Sequence, residues 1–363
     1  MSDIFANKYR PKCLEDIVGQ DVVKKSLLNS FKNKRMHHFY IFEGVYGTGK
    51  TTCARILAAM ENCDNGPTAN PCGVCKNCKE IFSGKSIDVK ELDAASNRSI
   101  EDIRDIKNNI QMSANNGRVK YIIIDECHSL TGYAAEAALK MVEEPPAHVR
   151  FIFATTDSHK LKDTIFSRCM PFRFNKVNWM DMSSHLDMVC KKEHIEIEKE
   201  ALDLIAKSSR GSVRSSLQSL EKALAYVGLE ETITVQGVYE SLGLVAQELY
   251  FNLFKSIIEK KSVKTFLIIN KIMGSGQQVS KTVDDLTDFL NDLLVIQQCG
   301  DQSSELGYSP EDIKKFQYLA SKFGMEKIIF MISKLCEITK AIEVNVKPDA
   351  LFNNFAIEIM HKS

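Results

Sequence analysis

The sequence has no excess of charge, no long hydrophobic run and a single tryptophan. Its 47 lysines and arginines balance 47 aspartates and glutamates over 363 residues, which excludes a chain that is basic throughout. Any nucleic-acid partner would have to be met by a local patch that the total conceals. The longest apolar stretches, such as Tyr121-Ile122-Ile123-Ile124, fall far short of the ~18 residues of a membrane span, and Met1 to Lys12 hold no apolar core of a secretory signal. Together these absences predict a cytoplasmic chain with no membrane partner. Disorder, collagen and mucin-like stalks are excluded by 44% apolar residues with few prolines and no repeat. The length allows two or three domains, each with its own core.

Eleven cysteines are present, but seven stand singly, at 13, 53, 127, 169, 190, 299 and 336. An odd total without a signal sequence argues against a disulfide framework. The other four form Cys63-x8-Cys72-x2-Cys75-x2-Cys78, in a loop-like stretch with Asn65, Gly66, Pro67, Pro71 and Gly73. Four soft ligands at CxxC spacing suit a closed tetrahedral Zn²⁺ site, and the module, about 61–80, has little apolar material to form a core without one. An iron–sulfur cluster and uncommitted thiols are the alternatives.

Up to about residue 177, short apolar strands alternate with helical stretches: His38 to Phe42, a helix from Lys50, Val119 to Asp125, and Val149 to Thr155. This pattern predicts an α/β fold with a parallel sheet covered by helices. From 178 to about 241 the apolar spacing is helical, as in Ala201, Leu202, Leu204 and Ile205, and predicts a small helical domain. Residues 242–363 read as a third, all-helical domain without a chemistry-bearing motif.

Gly44-Val45-Tyr46-Gly47-Thr48-Gly49-Lys50-Thr51 follows the first strand and opens a helix, as a P-loop does. The glycines let successive amides turn toward phosphate oxygens, and the helix N-terminus adds partial positive charge. Lys50 is expected to reach the β- and γ-phosphates of ATP, and the Thr51 hydroxyl to ligate Mg²⁺, with Thr52 beside it in the same turn. Asp125-Glu126 closes a buried strand. Alone, that pair reads as a solvated turn; downstream of a P-loop, Asp125 suits the Mg²⁺ seat and Glu126 the residue that polarises the attacking water.

Four stretches carry a family resemblance: Tyr9-Arg10-Pro11-Lys12 with Asp16-Ile17-Val18-Gly19-Gln20, the cysteine module, Glu91-Leu92-Asp93-Ala94-Ala95-Ser96, and Leu139-Lys140-x2-Glu143-Glu144-Pro145-Pro146 running on to Ala154-Thr155-Thr156-Asp157. Across about 5–215 the chain resembles the gamma/tau subunits of the bacterial DNA polymerase III clamp loader, which are AAA+ ATPases. The resemblance implies an AAA+ domain over 1–177, a helical lid over 178–241 and a C-terminal collar over 242–363. It implies that Tyr9, Arg10, Pro11, Val18 and Gly19 hold the adenine, that Thr156 is the sensor-1 residue, and that Arg214 is the sensor-2 arginine of the lid. Arg168, in Ser167-Arg168-Cys169, looks like the arginine that enters a neighbouring subunit's ATP site. Arg98, Ser99 and Lys140 match regions that face DNA, although from the residues alone they read equally well as solvated surface. Residues 1–36 carry eight Lys and Arg against four Asp and Glu, a local positive excess in keeping with a DNA contact.

The implied partners are delta-like and delta-prime-like sister subunits in a ring, a sliding clamp, and primed-template DNA bound without regard to sequence. The chain ends where the family's shorter gamma form would end, so partners of a tau-type extension are not expected. Ser215-Ser216 replaces the Asp-Ala that commonly follows the sensor-2 arginine. Other readings are a non-hydrolysing structural subunit of the loader, a branch-migration motor, or a replication factor C small subunit. Intact Gly49-Lys50-Thr51 and Asp125-Glu126 oppose the first, and the four-cysteine insertion opposes the other two.

Overall fold

A computed structural model of the protein describes residues 4–96, 110–130, 132–143, 145–161, 163–228, 231–244, 247–306, 310–343 and 346–361. Arg98 and Ser99 lie outside the described residues, as does the side chain of Lys140. The chain divides into two compact units, Met1–Thr234 and Val235–Ser363.

The first unit is built on a five-stranded sheet. Its strands are β1 (Phe39–Gly44), β2 (Val89–Asp93), β3 (Lys120–Asp125), β4 (Val149–Thr155) and β5 (Met170–Phe174). All pair in parallel, in the order β2-β3-β4-β1-β5. The three inner strands are apolar at almost every position because both faces are covered. Side chains alternate between the faces, so Tyr40 and Phe42 join one core layer with Ile123, Ile152 and the helix Lys50–Asn62, while Phe39 and Ile41 join the other with Ile122, Phe151 and Phe153. In the helical order, Phe5–Lys8 is α1, Asp21–Lys32 is α2, Lys50–Asn62 is α3 and Lys76–Phe82 is α4.

The periodicity finds the inner strands and misses β2 and β5, which are the two edges. Buried on fewer sides, they carry charged residues, and β5 holds Pro171, which lacks a ladder donor and is tolerated at an edge. Parallel strands place all five C-terminal ends along one rim of the sheet, which is where ligands bind in open α/β folds. Gly44, Asp125 and Thr155 end three of those strands.

The lid helices Trp179–Glu193, Lys199–Ser208 and Val213–Val227 complete the first unit. Asn178 and Ser212 cap two of them, their side chains accepting from the amides of Met180 and Ser215 at 3.1 and 3.2 Å. The helix Val235–Leu242, placed mainly with the lid by the sequence reading, belongs to the second unit. That unit is helical through to Pro348–His361, around a core in which Phe254 stacks on Phe289 with centroids 5.4 Å apart. Among the described residues, no helix is long and apolar enough to cross a membrane.

Candidate active site and cysteine cluster

The P-loop leaves β1 at Gly44 and enters α3 through Gly49, whose φ of 102° lies in the left-handed region. A Cβ at Gly44 would stand 2.2 Å from the carbonyl oxygen of Phe174, and one at Gly47 2.2 Å from Ser212 Oγ, so neither position can carry a side chain. The Lys50 side chain is buried and folds back over the loop, donating to the carbonyls of Gly44 at 2.7 Å and Val45 at 3.1 Å. Burial lowers its pKa, while Glu126 and Asp125 act in the opposite sense. The Thr51 hydroxyl donates to Asp125 Oδ2 at 2.5 Å, which joins the start of α3 to the end of β3. Two oxygens so joined form a ready seat for a hard cation such as Mg²⁺.

Glu126 has a left-handed φ of 46°, which turns its side chain off the strand axis. Its Oε2 accepts from the Thr156 hydroxyl at 3.0 Å and lies 3.4 Å from His128 Nδ1. His128 Nδ1 also meets Thr155 Oγ1 at 3.0 Å.

One cavity gathers most of the expected residues. Tyr9, Arg10, Pro11, Val18, Gly47, Thr48, Gly49, Lys50, Thr51, Thr52, Asp125, Glu126 and Arg214 all line it. Apolar Ile17, Val213 and Leu217 line it too, together with His185, whose pKa is lowered by burial and by Lys192. Arg10 has its pKa lowered first by burial and then by Arg55, with Arg214 adding to that and Glu91 and Asp125 opposing it. Gly44 and Thr156 line an adjoining groove with Glu43, Arg173 and Lys176. Gly19 takes a left-handed φ of 65° beside Val177. Arg168 is exposed and lines neither space.

The N-terminal segment is strapped to the lid. The Tyr9 hydroxyl donates to Glu193, Lys8 Nζ lies 2.6 Å from Glu193 Oε1, and the Phe5 amide donates to Glu221 Oε1 at 2.7 Å. Burial and the Glu193 hydrogen bond push the Tyr9 phenol up to about 12. Lys8 and Tyr9 hold the Glu193 carboxyl below its usual range.

The four clustered cysteines place their Sγ atoms within 4.8 Å of one another. Cys63 ends α3 and Cys75 caps α4, so two helices fix the cluster. Amides of Val74 and Cys75 hold the Cys72 thiol down, at about 6, whereas burial pushes Cys75 and Cys78 up. The Cys75 amide reaches Cys72 Sγ at 3.3 Å and the Cys78 amide reaches Cys75 Sγ at 3.4 Å. Four converging sulfurs with amide donors behind them fit a tetrahedral thiolate-bound metal of the zinc type.

Residues 181–228 match the family described as the DNA polymerase III clamp loader subunit ATPase lid domain, and 233–352 match domain III of the DNA polymerase III subunits gamma and tau. Residues 19–178 match the family described as the DNA polymerase III delta subunit. The gamma subunit of Buchnera aphidicola subsp. Acyrthosiphon pisum is 37% identical over 79% of this chain and 79% of its own length. The chain belongs to the DNA polymerase III gamma/tau family. The tau subunit of Escherichia coli K12 is also 37% identical, over 81% of this chain and 45% of its own length. This gamma/tau-family chain thus spans less than two thirds of the length of such tau relatives. The RuvB branch migration motor of Thermotoga maritima, at 20% identity and a TM-score of 0.50 over 70% of this chain and 80% of its own, shares the AAA+ fold.

His128, His185, Glu193 and Tyr46 join the site of this gamma/tau-family chain without being expected from the sequence. His128 follows the Asp125-Glu126 pair closely and offered a local signal. Glu193 offered none, since it meets Tyr9 across 184 residues of chain.

Proposed function

We propose that this chain is an ATP-hydrolysing clamp-loader subunit, which in a ring with delta-like and delta-prime-like sisters opens a sliding clamp and places it on primed DNA. The observation that carries the reading is the convergence of Lys50, the Thr51–Asp125 pair and Glu126 on one cavity. A non-hydrolysing subunit would have no use for Glu126 oriented by two side chains. Tyr9, Pro11, Val18 and Leu217 supply the apolar and aromatic surface that suits a base, and Lys50, Arg10 and Arg214 supply positive charge for phosphates. Mg²⁺, when bound at Thr51 and Asp125, neutralises charge on the β- and γ-phosphate oxygens. Glu126 orients the attacking water and draws off its proton, with Thr156 holding the carboxylate in place. Arg168 serves a neighbour's site, the cysteine module holds a structural zinc, and Arg98, Ser99 and Lys140 contact DNA phosphates.

The test is equilibrium binding and steady-state hydrolysis of ATP. Lys50→Ala is expected to lose binding, whereas Glu126→Gln keeps binding and loses turnover. Hydrolysis by the unmutated chain is expected to rise when sister subunits, the clamp and a primed template are present together. Hydrolysis by Glu126→Gln at the unmutated rate would remove Glu126 from its role.

A further inference from the structure

Tyr46 occupies a P-loop position at which phosphate binding needs no side chain, yet it carries a large aromatic ring with 54% of its surface exposed. Its hydroxyl has no hydrogen-bond partner among the described residues. The ring does have a partner: the Arg214 guanidinium carbon lies 5.3 Å from its centroid, inside the ~6 Å reach of a cation–ring attraction. Both side chains line the cavity assigned to the nucleotide.

The backbones beneath them are joined as well. The carbonyl of Gly47 accepts from the amides of Val213 at 3.1 Å and Arg214 at 3.4 Å. Those are first-turn amides of the helix Val213–Val227, which have no partner inside their own helix. A Cβ at Gly47 would stand 3.1 Å from Arg214 Cβ as well as against Ser212 Oγ, so the glycine is what allows the approach. The P-loop therefore grips the start of the lid helix through a carbonyl at 47 and the side chain of its first arginine through a ring at 46.

We propose that Tyr46 is a positioning residue for Arg214, its ring holding the lid guanidinium at the mouth of the nucleotide cavity so that the arginine meets the phosphates already oriented. This rests on the nucleotide-site reading above. An aromatic face suits the task better than a carboxylate would. Arg214 shares the cavity with Arg10 and Lys50, and its charge and that of Arg10 repel one another. A carboxylate would hold it against that repulsion but would neutralise it and compete with the phosphates. The ring attracts the guanidinium and leaves its N–H edge available to an anion. The hydroxyl plays no part, so phenylalanine should serve equally well.

The experiment is a double-mutant cycle read by equilibrium binding of a non-hydrolysable ATP analogue to the full chain. Tyr46→Ala is expected to weaken binding about two- to tenfold, the range for a partly exposed cation–ring pair. Tyr46→Phe is expected to match the unmutated chain. In an Arg214→Ala background, Tyr46→Ala is expected to cost nothing further. An equal loss in both backgrounds, or a Tyr46→Phe chain as weak as Tyr46→Ala, would overturn the proposal, and so would unaltered binding by Tyr46→Ala. Because Tyr46 is more than half exposed, its truncation opens no core cavity, and matching thermal melts would confirm that each variant is folded. Failure of the nucleotide-site reading looks different: the unmutated chain would not bind the analogue, or Lys50→Ala would bind it as well as the unmutated chain.

Discussion

The hydroxyl of Thr156 donates to Glu126 Oε2 at 3.0 Å, linking the residue after β4 to the residue after β3. Neighbouring parallel strands make this possible, and the left-handed backbone of Glu126 completes it by turning the carboxylate toward β4. His128, 3.4 Å from the same oxygen, limits the carboxylate from a second side. Thr156→Val removes the donor at nearly constant volume, so it is expected to lower turnover by roughly 10–100-fold, the range for a hydrogen bond to a charged group. ATP affinity should change little. Thr156→Ser should retain most of the rate, and steady-state kinetics beside equilibrium binding would check both variants.

The strap from Tyr9 to Glu193 has a pH dependence of definite sign. Lys8 and Tyr9 hold the folded Glu193 carboxyl below its unfolded value of about 4.3. The folded form therefore takes up a proton less readily than the unfolded form. The contact stabilises above the unfolded value and loses its contribution as pH falls through the lower, folded value. Glu193→Gln is expected to lower Tm by on the order of 1–3 °C at neutral pH, as befits a partly exposed ion pair. The difference between the two chains should stay level from about pH 5 to 8 and shrink below about pH 4. Thermal melts across pH would show it, and a gap that widened in acid would contradict the strap.

For the cysteine module, metal analysis of the purified chain is expected to find about one zinc per chain. Cys75→Ser removes one sulfur ligand while leaving an N-cap acceptor at the start of α4, so it should release the metal and, through that loss, destabilise the segment from Cys63 to Phe82. Because the cluster lies at the ends of α3 and α4 rather than in the cavity, ATP turnover should fall far less than stability. Iron with a visible absorption band, or no metal at all, would refute the zinc assignment.

What the sequence made legible was local. The P-loop is an eight-residue pattern in its strand–loop–helix setting, and it folds as that pattern requires at Gly44, Gly47 and Gly49. The inner strands announced themselves by unbroken apolar runs. The edges β2 and β5 did not, because Lys90, Glu91 and Arg173 face solvent there and the alternation that remains is too short to read. Contacts between distant segments were invisible for another reason. Tyr46 and Arg214, Tyr9 and Glu193, or Phe5 and Glu221 are brought together by the lid packing, and no periodicity in either segment encodes the other.

Arg168 tests whether the active site is shared between chains. It follows the short helix Asp163–Phe166, is exposed, and stands outside the cavity that Lys50 and Glu126 line. On the clamp-loader reading proposed above, Arg168 serves a neighbour's site, where its charge would stabilise the γ-phosphate in the transition state. A trans-acting arginine is worth ~10³–10⁵ in rate in the GTPase-activating case, so even a small share would be measurable. Arg168→Ala is expected to bind ATP normally as an isolated chain and to fail in hydrolysis within the assembled ring. The decisive measurement mixes two inactive chains, Lys50→Ala and Arg168→Ala, in one complex. Where the Lys50→Ala chain presents its intact Arg168 to the intact P-loop of the Arg168→Ala chain, a complete site forms and hydrolysis should return. If mixed rings assemble without any rescue, or if Arg168→Ala alone loses ATP binding, Arg168 acts within its own chain and the shared site is wrong.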